Sequence, residues 1–371
     1  MIYLINKECF ELRPPVISTT LILSDLGYNL TVICSGINDY WKSELSNRNI
    51  SVVVIPDSAH RTSRICKIIE YYQYSGKVLK TILNNGFSKE SDLIWAIGGN
   101  TIVALCRILR KYKFILQIQE MHEYDTLFLK AFGRIINDAQ AVFLNEYNRC
   151  AIYKVWFKME KTPFVLPNKP YFLPNSQDLE RLVDKYENML DVFRRKKVIL
   201  YQGIIHSERN MTVFIKSISE MGDEYRIVLL GKDRGLVSHY KSIAPNIIHY
   251  ESLPAPDYLV FTYLAYMGIV TYDPYQLNTT FCAPNKIYEY ASFGKPVLGN
   301  NIPGLQPIAK YHAGILVDEN NGDAIKEAIR EIDTNYAYYS EGASLFFKDT
   351  DNVKTIHNVL KSINVIGDNV K

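Results

Sequence analysis

One short segment holds residues whose types and spacing could do chemistry together. In residues 281–294, FCAPNKIYEYASFG, Pro284 stands where a helix would begin. Asn285 and Lys286 fall in the first turn, Glu289 follows three residues after Lys286, and Gly294 suits the helix end. Unpaired N–H groups at a helix start, together with the helix dipole, favour an anion such as a diphosphate. Lys286 adds a full positive charge. Glu289 lies one turn on and on the same face. A carboxylate there can accept two hydrogen bonds from the 2′,3′-diol of a ribose. An ordinary capped helix fits the same residues, so this segment alone leaves both readings open.

The elements that must position this helix follow from the apolar runs. Ile2–Ile5, Leu30–Cys34, Ser51–Ile55, Leu93–Ile97, Phe114–Ile118 and Ala141–Leu144 are short runs bounded by turn residues, the pattern of central parallel strands. Helical stretches separate them, at 16–26 and after Gly98-Gly99-Asn100. Residues 163–175, PFVLPNKPYFLPN, carry four prolines and read as a linker or hinge. A polar helix over 179–195 follows. Alternation then restarts with strands at Val198–Gln202, Ile227–Leu230, Ile247–Tyr250, Gly268–Tyr272 and Pro296–Leu298. Helices are expected at 209–219, 256–265 and 285–293. This is βαβ alternation in two similar halves. The expected architecture is α/β, with two Rossmann-like doubly wound domains facing a central cleft. The expected boundaries are 1–170 and 171–350, with 351–371 as a C-terminal helix that crosses back to the first domain.

Composition narrows the class. The chain has 371 residues, a formal net charge of +3 and 47% hydrophobic residues, which suits a globular chain and does not point to nucleic acid. The cysteines Cys9, Cys34, Cys66, Cys106, Cys150 and Cys282 are scattered without a C-x-x-C, so neither a zinc ribbon nor a disulfide framework is expected. The N-terminus meets Lys7 and Glu8 too early for a secretory signal. No run approaches the ~20 apolar residues that cross a bilayer. A cytoplasmic protein is therefore expected, soluble or peripheral on the inner membrane face. Charge is unequal: residues 1–170 hold 21 basic and 15 acidic residues, and the remainder 21 and 24. Arg61, Arg64, Lys67, Lys77 and Lys80 cluster, as do Arg107, Arg110, Lys111 and Lys113, interleaved with residues such as Ile68, Ile69, Tyr71 and Tyr72. Solvated helix faces over a core fit this pattern. So does a face that rests on an anionic membrane.

The segment 283–305, APNKIYEYASFGKPVLGNNIPGL, resembles the donor-binding signature of GT-B glycosyltransferases, close to glycosyltransferase family four. That signature runs Pro-Asn-Lys, apolar, aromatic, Glu-Tyr, then Gly-Lys-Pro-Val. The resemblance places the ribose contact on Glu289 and puts Asn285 and Lys286 near the donor phosphates. The family often has a second Glu eight residues earlier. That position is Phe281, and main-chain groups around 282–284 are expected to replace its contact with the donor sugar.

Two further segments agree. ILYQGIIHSERNMTVFIKSI, 199–218, looks like the first strand-turn-helix of the family's C-terminal domain, with the turn at Gly203. A basic residue six or seven positions after that glycine binds the donor diphosphate there, and Arg209 holds the position. The planar guanidinium suits bidentate phosphate contact. His206 shares the loop. IVLLGKDRG, 227–235, resembles the domain's second strand, with Lys232 a second phosphate ligand and Arg234 a weaker one. Glu251, with Ser252 and Leu253, falls where the family contacts the nucleobase. In the first half, FILQIQEMHEYD, 114–125, looks like the family's strand followed by His-Glu or His-Asp. The resemblance therefore makes His122 and Glu123 the catalytic candidates, with Glu120 and Asp125 in reserve. Arg13, Gly98, Gly99 and Asn100 sit in crevice loops and are acceptor-side candidates.

The resemblance implies a glycosyltransferase that moves a sugar from a nucleotide-sugar donor, most simply UDP-linked, to a hydroxyl of an acceptor. A glycan or a polyprenyl-diphosphate-linked glycan of bacterial capsule, O-antigen or exopolysaccharide synthesis suits a basic first domain. Retention of configuration is implied, with the leaving phosphate helping to take the acceptor proton. No cofactor is expected, since the nucleotide-sugar is a substrate. No metal is expected either, because no Asp-x-Asp flanked by apolar strand occurs; Arg209, Lys232 and Lys286 would stabilise the leaving diphosphate. Nucleic acid is not an expected partner. Two other readings stand beside this one. One is a sugar-nucleotide 2-epimerase on the same fold; the other is an inactive GT-B subunit that binds a partner enzyme.

Overall fold

The computed structural model describes residues 1–57, 64–123 and 126–365. Arg61 and Asp125 therefore lie outside the described residues. The chain divides into two compact units. The first is Met1–Tyr171 with the chain from Asp351 onward, and the second is Phe172–Thr350.

Seven parallel strands build the sheet of the first unit. They are β1 Ile2–Asn6, β2 Leu30–Cys34, β3 Ser51–Val54, β4 Leu93–Ile97, β5 Phe114–Ile118, β6 Ala141–Leu144 and β7 Phe164–Val165. Their order is β3-β2-β1-β4-β5-β6-β7. Strands β1, β2, β4, β5 and β6 are buried throughout, as unbroken Val/Ile/Leu runs require when helices cover both faces. The proline-rich stretch is more than a linker: Phe164 and Val165 pair with Phe143 and Leu144 at the sheet edge, where missing proline donors do no harm. Helices Arg64–Asn84, Gly99–Leu109 and Leu127–Gly133 pack in a row. Right-handed crossovers put them on the face opposite helix Pro14–Asp25. The C-terminal helix Asn352–Ser362 packs against Pro14–Asp25. Asn352 Nδ2 donates to Pro167 O at 2.8 Å, and Tyr28 Oη donates to Val365 O at 3.1 Å.

The second unit has six parallel strands. They are β8 Lys197–Gln202, β9 Tyr225–Leu230, β10 Ile248–Tyr250, β11 Met267–Val270, β12 Val297–Asn300 and β13 Gly314–Val317. Their order is β10-β9-β8-β11-β12-β13. The expected helix over 179–195 is two, Ser176–Lys185 and Glu187–Arg195, divided at Tyr186. The Tyr186 hydroxyl turns instead to Asp257 Oδ2 at 2.6 Å. Helix Asn285–Ser292 lies against β11 so closely that a Cβ on Gly268 would come within 2.3 Å of the Tyr290 ring. Only glycine fits there. Tyr290 Oη reaches past it to Leu200 O at 2.8 Å.

In both sheets the strand order reverses once, between β1 and β4 and between β8 and β11. The loops leaving the carboxyl ends of those strands form a ligand crevice in open α/β sheets. They are residues 7–13 and 98–100 in the first unit, and 203–209 and 271–284 in the second.

Candidate functional site

In the second unit three strand ends stand side by side. Gly203 N donates to Leu230 O at 2.9 Å, and Gly231 N to Tyr250 O at 2.9 Å. Gly231 has φ +152°, and a Cβ there would fall 2.0 Å from Gly203 O, so the two turns approach as only glycine allows. Beyond Gly203 the chain makes a short 3-10 turn, Ser207–Arg209, before helix Thr212–Ser219. Arg209 thus precedes the helix rather than opening it. His206 caps the turn, its Nδ1 accepting from Glu208 N at 3.4 Å.

Asn285 is the first residue of helix Asn285–Ser292, and Pro284 is its N-cap. The helix starts where expected, with Pro284 just outside it as the cap. A proline cap offers no side-chain acceptor, so the first N–H groups of the helix have no capping side chain. Lys286 follows, only 6% exposed. Its ammonium lies 4.1 Å from the Tyr201 ring centroid and 5.8 Å from that of Tyr272. Among the described residues no hydrogen-bond partner reaches Lys286 Nζ. Burial pushes this lysine well below its ordinary pKa, the neighbouring Arg209 pushes in the same direction, and Glu289 and Cys282 oppose them. The Arg209 guanidinium lies 5.2 Å from the Tyr272 ring, and Nη1 donates to Ile204 O at 3.3 Å. The two cations meet over Gly203: a Cβ there would stand 3.3 Å from Lys286 Nζ and 3.7 Å from Arg209 Nη1.

Glu289 is 5% exposed and its two oxygens have separate partners. Tyr258 Oη donates to Oε1 at 2.6 Å, and Gln202 Nε2 donates to Oε2. Thr262 Oγ1 orients Gln202 by donating to its Oε1 at 2.6 Å. Burial raises the Glu289 pKa; hydrogen bonds from Tyr258 and Gln202 and the charge of Lys286 lower it. A carboxylate oxygen has two lone pairs, so each retains one acceptor direction. Lys232, Arg234 and Glu251 sit in the adjoining turns, but their side chains are exposed and stay out of the buried cluster. Phe281 is half-buried at the end of helix Leu277–Thr280.

In the first unit the 98–100 loop meets the chain after β5. His122 stacks on Phe128, centroids 4.4 Å apart and planes 23° apart. A Cβ on Gly99 would come within 3.1 Å of His122 Nε2, a buried atom without a hydrogen-bond partner among the described residues. Burial lowers the imidazole pKa, Arg149 adds to that, and Glu120 opposes it. The ring is therefore neutral at pH 7. Glu123, expected beside it, is exposed. Asn100 Oδ1 accepts from Tyr71 Oη at 2.7 Å. Gly98, with φ +85°, opens the helix. Arg13 lines the same pocket as Gly98, Gly99, Asn100 and His122. It is paired with Glu8 through Nε and with Glu120 Oε1 at 3.2 Å.

Several residues escaped the sequence. Tyr201, Tyr272, Gln202, Tyr258 and Thr262 build the cage around Lys286 and Glu289, but each reads in sequence as an ordinary strand or helix residue. In the first unit, buried Arg149 donates to Gln119 O at 3.0 Å and to Asn145 Oδ1 at 3.0 Å, holding the loop that carries Glu120 and His122. Lys7 is buried between Asp57 and Glu70 Oε1, the latter at 2.5 Å. A lysine directly after a core strand was its only signal.

Comparison with known proteins is consistent with this geometry. Residues 196–335 match the family model described as Glycosyl transferases group 1. No curated protein matches the sequence. The fold is similar to that of the Anabaena protein Alr3699/HepE, solved in complex with UDP and glucose, at TM-score 0.70 and 13% identity over 98% of this chain and 97% of that one. It is similar to a glycosyltransferase from Rickettsia africae at TM-score 0.69 and 14% identity, covering 100% and 99% of the chains. The sucrose-phosphate synthase of Thermosynechococcus elongatus follows at TM-score 0.68 and 13% identity, covering 98% and 96%. The fold is thus GT-B, and the second unit is similar over residues 196–335 to the group 1 glycosyl transferases. No described helix is long and apolar enough to cross a membrane.

Proposed function

We propose that this chain, a glycosyltransferase by its similarity to group 1 and its fold, binds a UDP-linked sugar on its second unit and transfers the sugar to a hydroxyl of a glycan or polyprenyl-diphosphate-linked glycan. The observation that carries the reading is the pair Lys286 and Arg209. Buried Lys286 and half-buried Arg209 share the Tyr272 ring, and the carboxylate beside Lys286, Glu289, is held by Tyr258 and Gln202. Burying unpaired positive charge is costly, and a dianion offsets that cost. A nucleoside diphosphate is such a ligand. Its ribose would reach the remaining acceptor directions of Glu289, one turn along the same helix.

In the reaction the bond between the anomeric carbon and the diphosphate oxygen breaks, and the acceptor oxygen takes its place on that carbon. Negative charge grows on the leaving diphosphate. Lys286 and Arg209 stabilise it there, aided by the uncapped N–H groups after Pro284. Lys232 is a further cation for that charge from its exposed turn. With the acceptor hydroxyl attacking on the face that the diphosphate leaves, as in the retaining transferases it resembles, the leaving phosphate takes the acceptor proton. His122, neutral and packed on Phe128, is the group of the first unit suited to orient the acceptor or the donor sugar. Arg13, paired with Glu8 and Glu120, shapes the loop beside it. A role in capsule, O-antigen or exopolysaccharide assembly would supply such an acceptor.

The test is calorimetry with UDP, GDP, CDP and TDP, with and without their sugars, on the wild type, Lys286→Met and Glu289→Ala. UDP binding that both variants lose supports the reading. No binding of any nucleotide overturns it and favours an inactive subunit. Conversion of a nucleotide-sugar without acceptor favours the epimerase.

A further inference from the structure

The helices Arg64–Asn84, Gly99–Leu109 and Leu127–Gly133 cover one face of the first sheet, and the exposed charge on these helices has one sign. Lys67, Lys77, Lys80, Arg107 and Lys130 are exposed. The single acid in these three helices, Glu70, turns inward to Lys7, and its side chain is 13% exposed. The opposite face is mixed: helix Asp39–Asn47 alone carries Asp39, Lys42 and Glu44.

Apolar side chains stand among these cations on the solvent side. Ile68 is 67% exposed, Ile69 43%, Tyr72 67% and Leu83 52%. At about 100° per residue they fall within one arc of roughly 100° of helix Arg64–Asn84. Lys80 and Lys77 follow one another along one edge of that arc. The core-facing side of the same helix is separate, built from the buried Tyr74, Val78 and Ile82. A helix in a solvated layer needs no second apolar stripe. A stripe of Ile, Tyr and Leu with lysines along its edge is what a helix lying in a lipid headgroup layer presents.

We propose that this face docks on an anionic lipid bilayer, with Ile68, Ile69, Tyr72 and Leu83 entering the headgroup layer and Lys77 and Lys80 meeting lipid phosphates. Charge complementarity selects the surface, since every exposed charge on the three helices is positive. The apolar arc selects lipid over nucleic acid, which offers phosphates but no apolar layer to bury Ile68 and Leu83. Docking by this face would present the first unit to a lipid-linked acceptor. The inference does not depend on which nucleotide the second unit binds.

The experiment is cosedimentation of the full chain with vesicles of equal parts phosphatidylglycerol and phosphatidylcholine, and with pure phosphatidylcholine. The variants are Ile68→Ser/Tyr72→Ser and Lys77→Gln/Lys80→Gln. UDP titration runs in parallel as a check that each variant is folded. Wild type is expected to bind the anionic vesicles and to weaken as salt rises. Removal of two lysines lowers affinity by about thirtyfold. The serine pair lowers it about tenfold or more, even at low salt. UDP binding stays unchanged in both. Absence of wild-type binding to anionic vesicles at low salt overturns the proposal. So does undiminished binding of the serine pair, or binding to a nucleic-acid duplex in place of vesicles. Loss of UDP binding in the wild type, by contrast, counts against the transferase reading alone.

Discussion

The ammonium of Lys286 sits 4.1 Å from the centre of the Tyr201 ring, on the ring's face and out of water. A cation over an aromatic face is attracted by the ring quadrupole, by about 2 kcal/mol when desolvated. That is less than the several kcal/mol lost in removing an ammonium from water. The site therefore holds its lysine short of full compensation, and an arriving anion supplies the rest.

Proton uptake on binding follows from this relationship. Burial and Arg209 depress the Lys286 pKa, so the ligand-free folded state holds its proton less tightly than the unfolded chain. Below lysine's ordinary value of about 10.4 the unfolded state then binds more protons, and the stability of the free protein rises with pH toward that value. A bound diphosphate favours the charged form and restores the proton. Calorimetry of UDP binding near pH 8, in buffers of different ionisation enthalpy, should show uptake of up to one proton. Lys286→Met should abolish the uptake and weaken binding by about tenfold to a hundredfold, the scale of a hydrogen bond to a charged group. The same variant should not lower the melting temperature without ligand, because it removes an uncompensated charge from a buried site.

Glu289 makes a different prediction. Tyr258 Oη donates to it at 2.6 Å inside the core. Tyr258→Phe leaves a buried carboxylate with one donor fewer and should cost about 1–3 kcal/mol in urea unfolding. If the carboxylate meets the ribose, Glu289→Gln should bind UDP and 2′-deoxy-UDP with nearly equal affinity. The wild type should prefer UDP by roughly tenfold, the worth of one such bond. Equal preference in the wild type would remove Glu289 from the ribose.

Much of this site was legible in the sequence because its parts are local. Asn285, Lys286 and Glu289 lie within one and a half turns of a single helix, and spacing alone puts the last two on one face. Gly203 and Arg209 follow one strand. The strands were legible for the same reason, as the buried runs Leu30–Cys34, Leu93–Ile97, Phe114–Ile118 and Ala141–Leu144 match observed strands residue for residue. What the sequence hid is what depends on distant segments meeting. Tyr258 reaches Glu289 across 31 residues and Gln202 across 87. The pairing of Arg13 with Glu120 spans 107 residues and leaves no local trace. The apolar residues of Arg64–Asn84 show the converse. Ile68 and Tyr72 could be core by composition, and only packing puts them on the outside.

His122 supplies a pH prediction. Its imidazole is buried against Phe128 and its pKa is lowered, burial being the main cause. Above the unfolded value of about 6.5 both states are neutral and the packing is fully stabilising. As pH falls below that value the unfolded chain gains a proton that the folded ring resists, and this stability is lost down to the folded pKa. NMR titration of the His122 ring should place its midpoint below 6.5. His122→Phe should flatten the acid slope of stability between pH 6.5 and that midpoint. If His122 orients a sugar, the same variant should bind UDP normally and lose turnover by roughly a hundredfold or more.

Gly203 tests whether the two cations work over a common floor. Its φ of +122° is open to glycine and strained for alanine, by about 1–3 kcal/mol. The added methyl would also stand 3.3 Å from Lys286 Nζ and 3.7 Å from Arg209 Nη1, in the space between them. Gly203→Ala should therefore weaken UDP more than it weakens uridine, because the methyl occupies diphosphate space and leaves the Glu289 end untouched. Gly222 is the control. It also has positive φ, +97°, but nothing stands within 4 Å of its would-be Cβ. Gly222→Ala should carry a similar backbone cost in unfolding and leave UDP affinity unchanged. If both variants lose affinity alike, backbone strain explains the effect, and the shared floor under Lys286 and Arg209 is not where the diphosphate rests.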